Sequence, residues 1–184
     1  MPTIRRIVTG HNAEGRAIIQ TDAPPERIEK IGPQGPIFYE IWNTRETPAR
    51  IDAASGEFPE AGLILPPPPG GTRIRVLDIP PETEDFKHIS EADAREHFAA
   101  IGMADASTAV KGAPHPFMHR TRSVDYGIVI EGELVLIVDE GETICRPGDV
   151  VVQRGTNHAW SNRSGKTCRI AFVLIDGIFV DELA

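Results

Sequence analysis

Between Met118 and Asn162 the chain runs through four short β-rich segments. They are broken by Glu131-Gly132, by Asp139-Glu140-Gly141, by Pro147-Gly148-Asp149 and by Gly155-Thr156-Asn157. Short apolar runs bounded by such turn residues read as strands rather than helices. Residues 128–130 and 134–138 are nearly continuous apolar runs, and strands apolar on both faces are covered on both faces. One face is therefore expected to line an interior. The other is expected to lie under the N-terminal strands, a helix or a partner chain. Residues 143–146, 150–153 and 167–175 complete a closely spaced set, which predicts an all-β sandwich or barrel.

The first ninety residues contribute further strands. Residues 4–9 and 17–20 flank a turn at 10–15 and predict a hairpin, ended by Pro24-Pro25. Residues 26–36 carry Gly32, Pro33, Gly35 and Pro36 and are expected to be irregular. Residues 38–42 read as a strand. Residues 43–71 are expected to be irregular, and Pro66–Pro69 should form a stiff extended loop crossing the surface. In the strand at 73–79, Ile74, Val76 and Asp78 share one face and Arg75, Leu77 and Ile79 the other. Residues 90–102 predict the helix: Ser90 caps it, Asp93 completes a capping box, and Gly102 ends it. Ala94, Phe98 and Ile101 form its apolar stripe, with His97 expected off the stripe and in solvent. The expectation is one domain over 1–184. Residues 1–111 would pack on a barrel core at 112–176, or on a second subunit.

Composition excludes several classes. The 184 residues carry 19 Lys and Arg against 27 Asp and Glu, a formal charge of −8. That balance argues against binding nucleic acid or an anionic membrane surface, and no helix-turn-helix pattern appears. Residues 1–11 lack the apolar run of a secretory signal, and no segment approaches the roughly 20 apolar residues that cross a bilayer. Cys145 and Cys168 have neither CxxC nor zinc spacing and are read as buried free thiols, consistent with a cytoplasmic protein.

Strand periodicity places His119, Thr121, Ser123 and Asp125 on one face, and His158, Trp160 and Asn162 on another. If both faces point inward, two imidazoles and a carboxylate can meet, a set that suits iron(II), zinc or manganese with an open position. His115 has the parity to add a third nitrogen. Each residue also has a plainer role. A histidine in a strand can be a hydrogen-bonded core residue. Asp125 can anchor a turn or pair with Arg120 or Arg122, and Asn162 can pin a turn. Trp160 either stacks on a substrate ring or fills the barrel. Arg154 either clamps a carboxylate at the barrel mouth or forms a surface ion pair. Tyr126 should point outward.

These residues carry a resemblance. His119-Arg120-Thr121, Asp125 and Gly132 are similar to the first motif of the cupin superfamily, which reads His-x-His, then Glu, then Gly. Thr121 stands where the second His belongs and Asp125 where the Glu belongs. Gly148-Asp149, His158 and Asn162 are similar to the second motif, with Arg154 near its turn proline. The pattern HRTxSxDYGIVIEGE with GDVVVQRGTxHAWxN also resembles a subgroup of small single-cupin proteins. The resemblance implies a double-stranded β-helix, or jelly-roll, barrel and implies His119, Asp125 and His158 as metal ligands.

The function expected on that basis is a small-molecule enzyme using a divalent metal (iron, zinc or manganese) as Lewis acid on a carboxylate or phenolic substrate. Lyase, decarboxylase, isomerase and oxygenase chemistry all fit, with Arg154 and Trp160 as catalytic candidates. Two alternatives stand beside it. One is a metal-free epimerase-like enzyme with His119 as base and Asp125 orienting it. The other is a non-catalytic binder of a small ligand. The two-sided apolar strands and the strand-rich segment at 4–42 predict a homodimer.

Overall fold

The computed structural model describes residues 1–52 and 62–180 of the chain. Eleven strands and one α-helix are found among them. The strands are β1 (Arg6–His11), β2 (Ala17–Ala23), β3 (Arg27–Lys30), β4 (Ile37–Thr44), β5 (Thr72–Ile79), β6 (Ser123–Glu131), β7 (Leu134–Val138), β8 (Gly141–Cys145), β9 (Val150–Arg154), β10 (His158–Ser161) and β11 (Cys168–Asp176). The helix α1 spans Glu91–Ala100, and residues 53–61 of the Pro-flanked segment lie outside the described residues.

Two sheets make the barrel. The larger has six strands in the order β3-β4-β5-β11-β6-β9, and the smaller has three in the order β10-β7-β8. His119 extends the smaller sheet. Its N–H donates to the His158 carbonyl at 2.8 Å, and the His158 N–H returns to the His119 carbonyl at 2.9 Å. The all-β barrel expected from the turn spacing is thus present. Phe38, Leu77, Val129, Leu134 and Ile170 fill the space between the sheets, and Phe98 of α1 and Ile101 just after it pack against them. Cys145 and Cys168 are free and buried in the same core. Burial raises the Cys145 thiol and pushes the Cys168 thiol up to about 12.

The helix starts as its sequence predicts. Ser90 Oγ accepts from the Asp93 N–H, and the Asp93 carboxylate accepts from the Ser90 N–H. Ala94, Phe98 and Ile101 are buried. Gly102 follows at φ +74°, a conformation that suits glycine at a helix end.

One expectation needs correction. Residues 27–30 are not irregular but form β3, which pairs with β4. The Gly and Pro residues are confined to the connecting loop, where the Ile31 N–H donates to the Pro36 carbonyl. Arg27 and Glu29 form an ion pair at 2.6 Å along this sheet edge. Only part of the N-terminal region joins the large sheet by strand pairing. Strands β3, β4 and β5 enter the large sheet, whereas β1 and β2 pair only with each other. The outer face of β6 is not fully covered among the described residues, which leaves room there for the partner chain that is one of the expected covers. Tyr126 and Ile130 are exposed there, as are Val150 and Val152 on the neighbouring edge strand β9. The cover lies at the other end of the sheet. Arg6 stacks over the Trp42 ring at 5.6 Å, and Arg169 donates to the Pro2 carbonyl.

Candidate functional site: a histidine pair in an aromatic cavity

A cavity of about 410 Å³ opens between the two sheets. Its walls are mostly apolar, with Phe38, Phe86, Phe98, Phe117, Trp160 and Phe172 contributing the rings. The polar side chains reaching it are few: His119, His158, His97, Thr121, Asp125 and Arg75, with Gln34 from the exposed loop after β3. Apolar lining with a small number of placed polar groups is the usual composition of a small-molecule site.

His119 and His158 meet at one end of this cavity. Their ring centroids are 4.2 Å apart and the planes are inclined by 47°. The reciprocal backbone bonds between the two residues hold them opposite each other. His119 Nδ1 lies 3.0 Å from the Phe117 carbonyl, and His158 Nδ1 lies 2.9 Å from the Thr156 carbonyl. A carbonyl only accepts, so both Nδ1 atoms carry the proton and both Nε2 atoms keep a lone pair in the neutral ring. Burial holds both rings neutral. It lowers His119 well below the usual imidazole range, and the nearby His158 adds to this. Burial also brings His158 down to about 4. Phe98 packs 4.9 Å from the His119 ring, and Trp160 meets His158 edge-on at 6.2 Å.

Asp125 lines the same cavity from β6 and is 6% exposed. Burial pushes its carboxyl up to about 6, against the hydroxyls of Ser123 and Thr121 and the charge of Arg75. Its charged neighbour is therefore Arg75, not the sequence-adjacent arginines. Arg120 instead donates to the Gly155 carbonyl and stacks on Phe179, while Arg122 is exposed.

The structure separates the remaining candidates. Trp160 lines the cavity and meets Phe172 at 5.4 Å. Thr121 lines it too, its hydroxyl accepting from Ser123 at 3.0 Å. Arg154 is exposed on β9, paired across to Val124, and is not part of the cavity wall. Asn162 pins a turn, donating to the carbonyls of Ile79 and Lys166 and accepting from Ser164. Tyr126 points outward. His115 is engaged elsewhere: Nε2 sits 3.1 Å from Glu82, and Nδ1 accepts from the Phe117 N–H.

Sequence reasoning misplaced His97. It is half-buried at the cavity wall, its ring 4.7 Å from Phe117, and burial lowers its pKa. The signal was available, because position 97 is three after Ala94 and four before Ile101, the spacing of one helix face. Arg75 was also missed as a site residue. Its parity with Leu77 and Ile79 placed it on their face, and all three line the cavity.

The donor set can be tested against the metal implied by the resemblance. Two Nε2 lone pairs, each backed by an Nδ1–H bond to a carbonyl, are presented as metal-binding imidazoles are. Among the described residues, however, no three His, Cys, Asp or Glu side chains form a group that could hold an ion. The structure therefore supplies two nitrogens and does not bring Asp125 or His115 to them as a third ligand.

Comparison with known proteins fits this architecture. Residues 108–175 match the Cupin domain family. The cupin-domain-containing oxidoreductase virC of Hypocrea virens is 35% identical over 185 residues, covering 95% of this chain and 78% of the relative. Phomopsin biosynthesis cluster protein D of Diaporthe leptostromiformis is 30% identical over 180 residues, covering 95% and 79%. The cupin-domain-containing oxidoreductase fogC of Aspergillus ruber is 30% identical over 179 residues, covering 93% and 71%. With a Cupin domain match over residues 108–175 and relatives 30–35% identical over more than nine-tenths of its length, the chain belongs to the cupin superfamily.

Proposed function

We propose that this protein is a biosynthetic enzyme that holds a compact, largely apolar, ring-bearing substrate inside the barrel and moves a proton on it with His119 and His158. The observation carrying this reading is the facing pair of neutral imidazoles, each with Nδ1 tied to a carbonyl and the Nε2 lone pair left free. A base must be unprotonated at working pH and held rigidly, and both conditions are met. The aromatic walls favour a flat unsaturated substrate and keep water from the transferred proton. Several relatives are named oxidoreductases and others come from biosynthesis clusters. Proton removal is one half of many dehydrogenations; the other half, loss of a hydride or two electrons, would require a separate acceptor such as a redox cofactor or dioxygen.

The test is solvent exchange. Panels of cyclic ketones, enols and phenols are incubated in deuterated buffer with wild-type protein, His119→Asn and His158→Asn, and exchange is read by NMR. Exchange at a carbon beside the carbonyl or enol, lost about 100-fold or more in each variant, is the expected result. Exchange indifferent to both histidines sinks the reading. Binding with no exchange or conversion returns the protein to the non-catalytic alternative.

A second reading rests on the same lone pairs. The Nε2 atoms of His119 and His158 could hold iron, zinc or manganese, with solvent or substrate completing the shell. Such an ion would supply Lewis-acid stabilisation to a carboxylate, enol or phenolic oxygen. Elemental analysis of untagged protein beside a His119→Ala/His158→Ala double variant decides it. About one ion per chain, lost in the variant, supports the ion; none after reconstitution removes it.

The reading also includes a cytoplasmic homodimer. Free buried thiols support the reducing compartment. The exposed apolar face of β6 and β9 supports the dimer. A monomeric mass by light scattering at micromolar concentration refutes the latter.

A further inference from the structure

Two side chains that line the cavity each carry a buried polar atom with no hydrogen-bond partner among the described residues. Arg75 is 1% exposed. Its Nη2 donates to the Ile64 carbonyl at 2.6 Å and to Glu40 Oε2 at 3.2 Å, and Nε lies 3.0 Å from Glu40 Oε1. Its Nη1 finds no acceptor among the described residues. Asp125 Oδ1 is likewise buried and finds no donor. Both residues line the cavity, one from β5 and the other from β6. A buried donor or acceptor left unmade costs about 1–3 kcal/mol. A native core keeps such atoms where something else completes them.

The charges around these atoms are already matched. Arg73 and Arg75 provide two positive charges, and Glu40 and Asp125 provide two negative ones when both are ionised. Glu40 also takes Arg73 Nη1 at 3.1 Å. An anion or cation placed here would itself be a buried, unpaired charge, which is strongly unfavourable. A neutral group carrying one acceptor and one donor meets no such penalty.

We propose that Arg75 Nη1 and Asp125 Oδ1 form a recognition subsite for an uncharged group of the substrate that carries an acceptor oxygen beside an O–H or N–H, such as a hydroxy-carbonyl or a carboxamide. The oxygen accepts from Arg75 and the O–H or N–H donates to Asp125. The rest of the molecule lies against the rings and extends toward the histidine pair. This gives Asp125 a role in binding substrate rather than metal. It rests on the small-molecule reading above for its biological sense, but not for its test, because probe binding needs no turnover and no histidine.

The probes are benzamide and acetophenone, which share a shape and an acceptor but differ in the donor, with benzoate as the charged comparison. Affinities are measured by ligand-observed NMR and calorimetry on wild type, Asp125→Leu and Arg75→Lys, each first shown to be folded by its thermal melt. Asp125→Leu is expected to weaken benzamide at least tenfold while acetophenone stays within about twofold, a single hydrogen bond to a charged acceptor being worth that much. Arg75→Lys, which keeps the charge but shortens the reach, is expected to weaken both neutral probes. If benzamide binding is unchanged in both variants, or falls no more than acetophenone binding in Asp125→Leu, the subsite does not exist. Tighter binding of benzoate than of benzamide in the wild type overturns the preference for a neutral group. Failure of the deuterium-exchange test with success here would leave a barrel that recognises this group but does not act through its histidines.

Discussion

Glu40 is the residue on which the cavity floor depends, and its removal gives the sharpest test of the electrostatic account. Glu40, Arg73 and Arg75 are respectively 3%, 3% and 1% exposed. One carboxylate thus receives two guanidinium groups, at 3.1 Å from Arg73 and at 3.0 and 3.2 Å from Arg75. Burial already draws the Arg75 guanidinium down to about 10, with Glu40 pulling in the other direction. Glu40→Gln keeps the volume and one acceptor, deletes the charge and turns the other oxygen into an NH2 donor facing a guanidinium. It leaves two buried cations facing Asp125 alone. Breaking a buried pair in this way costs about 3–5 kcal/mol. For a chain of this size that lowers the melting temperature by roughly 6–20 °C. The assay is calorimetry at pH 7.5, with Glu14→Gln as control, since Glu14 meets Arg16 at 4.0 Å on an exposed turn. The control is expected to melt as wild type does. A Glu40→Gln protein melting within about 2 °C of wild type would mean that water reaches and solvates this floor, and the charge-matching argument would fall with it.

Three further outcomes follow from the same structure. In metal-free protein, stability should fall as pH drops from about 6.5 toward 4, because the unfolded chain protonates His158 while the folded one resists until about 4. That shift is worth about 3 kcal/mol. Asp125, raised to about 6, works the other way below pH 6, since the folded state takes its proton first. Urea titrations should therefore show a shallower acid loss in His158→Asn and a steeper one in Asp125→Asn; parallel pH profiles would refute both assignments. Gly132→Ala should lower the melting temperature, because φ is +83° there and a Cβ would meet the Thr167 carbonyl oxygen and Cys168 Cα at 2.8 Å. A melt unchanged from wild type would show that the turn can shift. Ser90→Ala should cost about 1 kcal/mol by losing one side of the capping box, read by urea denaturation. No loss would mean that the helix end is held by packing alone.

How much was legible in the sequence differs between fold and site. The barrel strands could be read because turn residues bracket them and because a period of two is hard to mimic. That same period brought His119, Thr121, Asp125, His158 and Trp160 to one cavity. Strand β3 was hidden because four Gly and Pro residues follow it closely and dominate any local reading. His97 was hidden because a histidine among Glu and Arg looks solvated, although its helical spacing placed it on the buried face. Arg75 was the harder case. Its parity with Leu77 and Ile79 marks the face, but nothing local shows that a charge is matched there, since its partner Glu40 lies 35 positions away. Tyr126 was read as outward from its parity with Asp125, but the exposure of Val150 and Val152 was illegible, because a strand's apolar residues do not reveal which face lacks a cover.

Strand β11, from the far end of the chain, lies in the middle of the large sheet, with Ile170 registered against Leu77 on one side and Val129 on the other. Its Arg169 grips Asp78 across 91 positions, at 2.6 and 2.7 Å. The half of the protein that leaves the ribosome first therefore cannot settle before the other half arrives. Until β11 docks, β5 and β6 are two open edges, apolar and unpaired, in a chain whose decisive contacts are remote in sequence. Contacts of that kind make folding slow and leave the nascent polypeptide exposed to self-association. Yield in recombinant expression should accordingly respond to chaperone supply and growth temperature more than to the stability of the finished barrel.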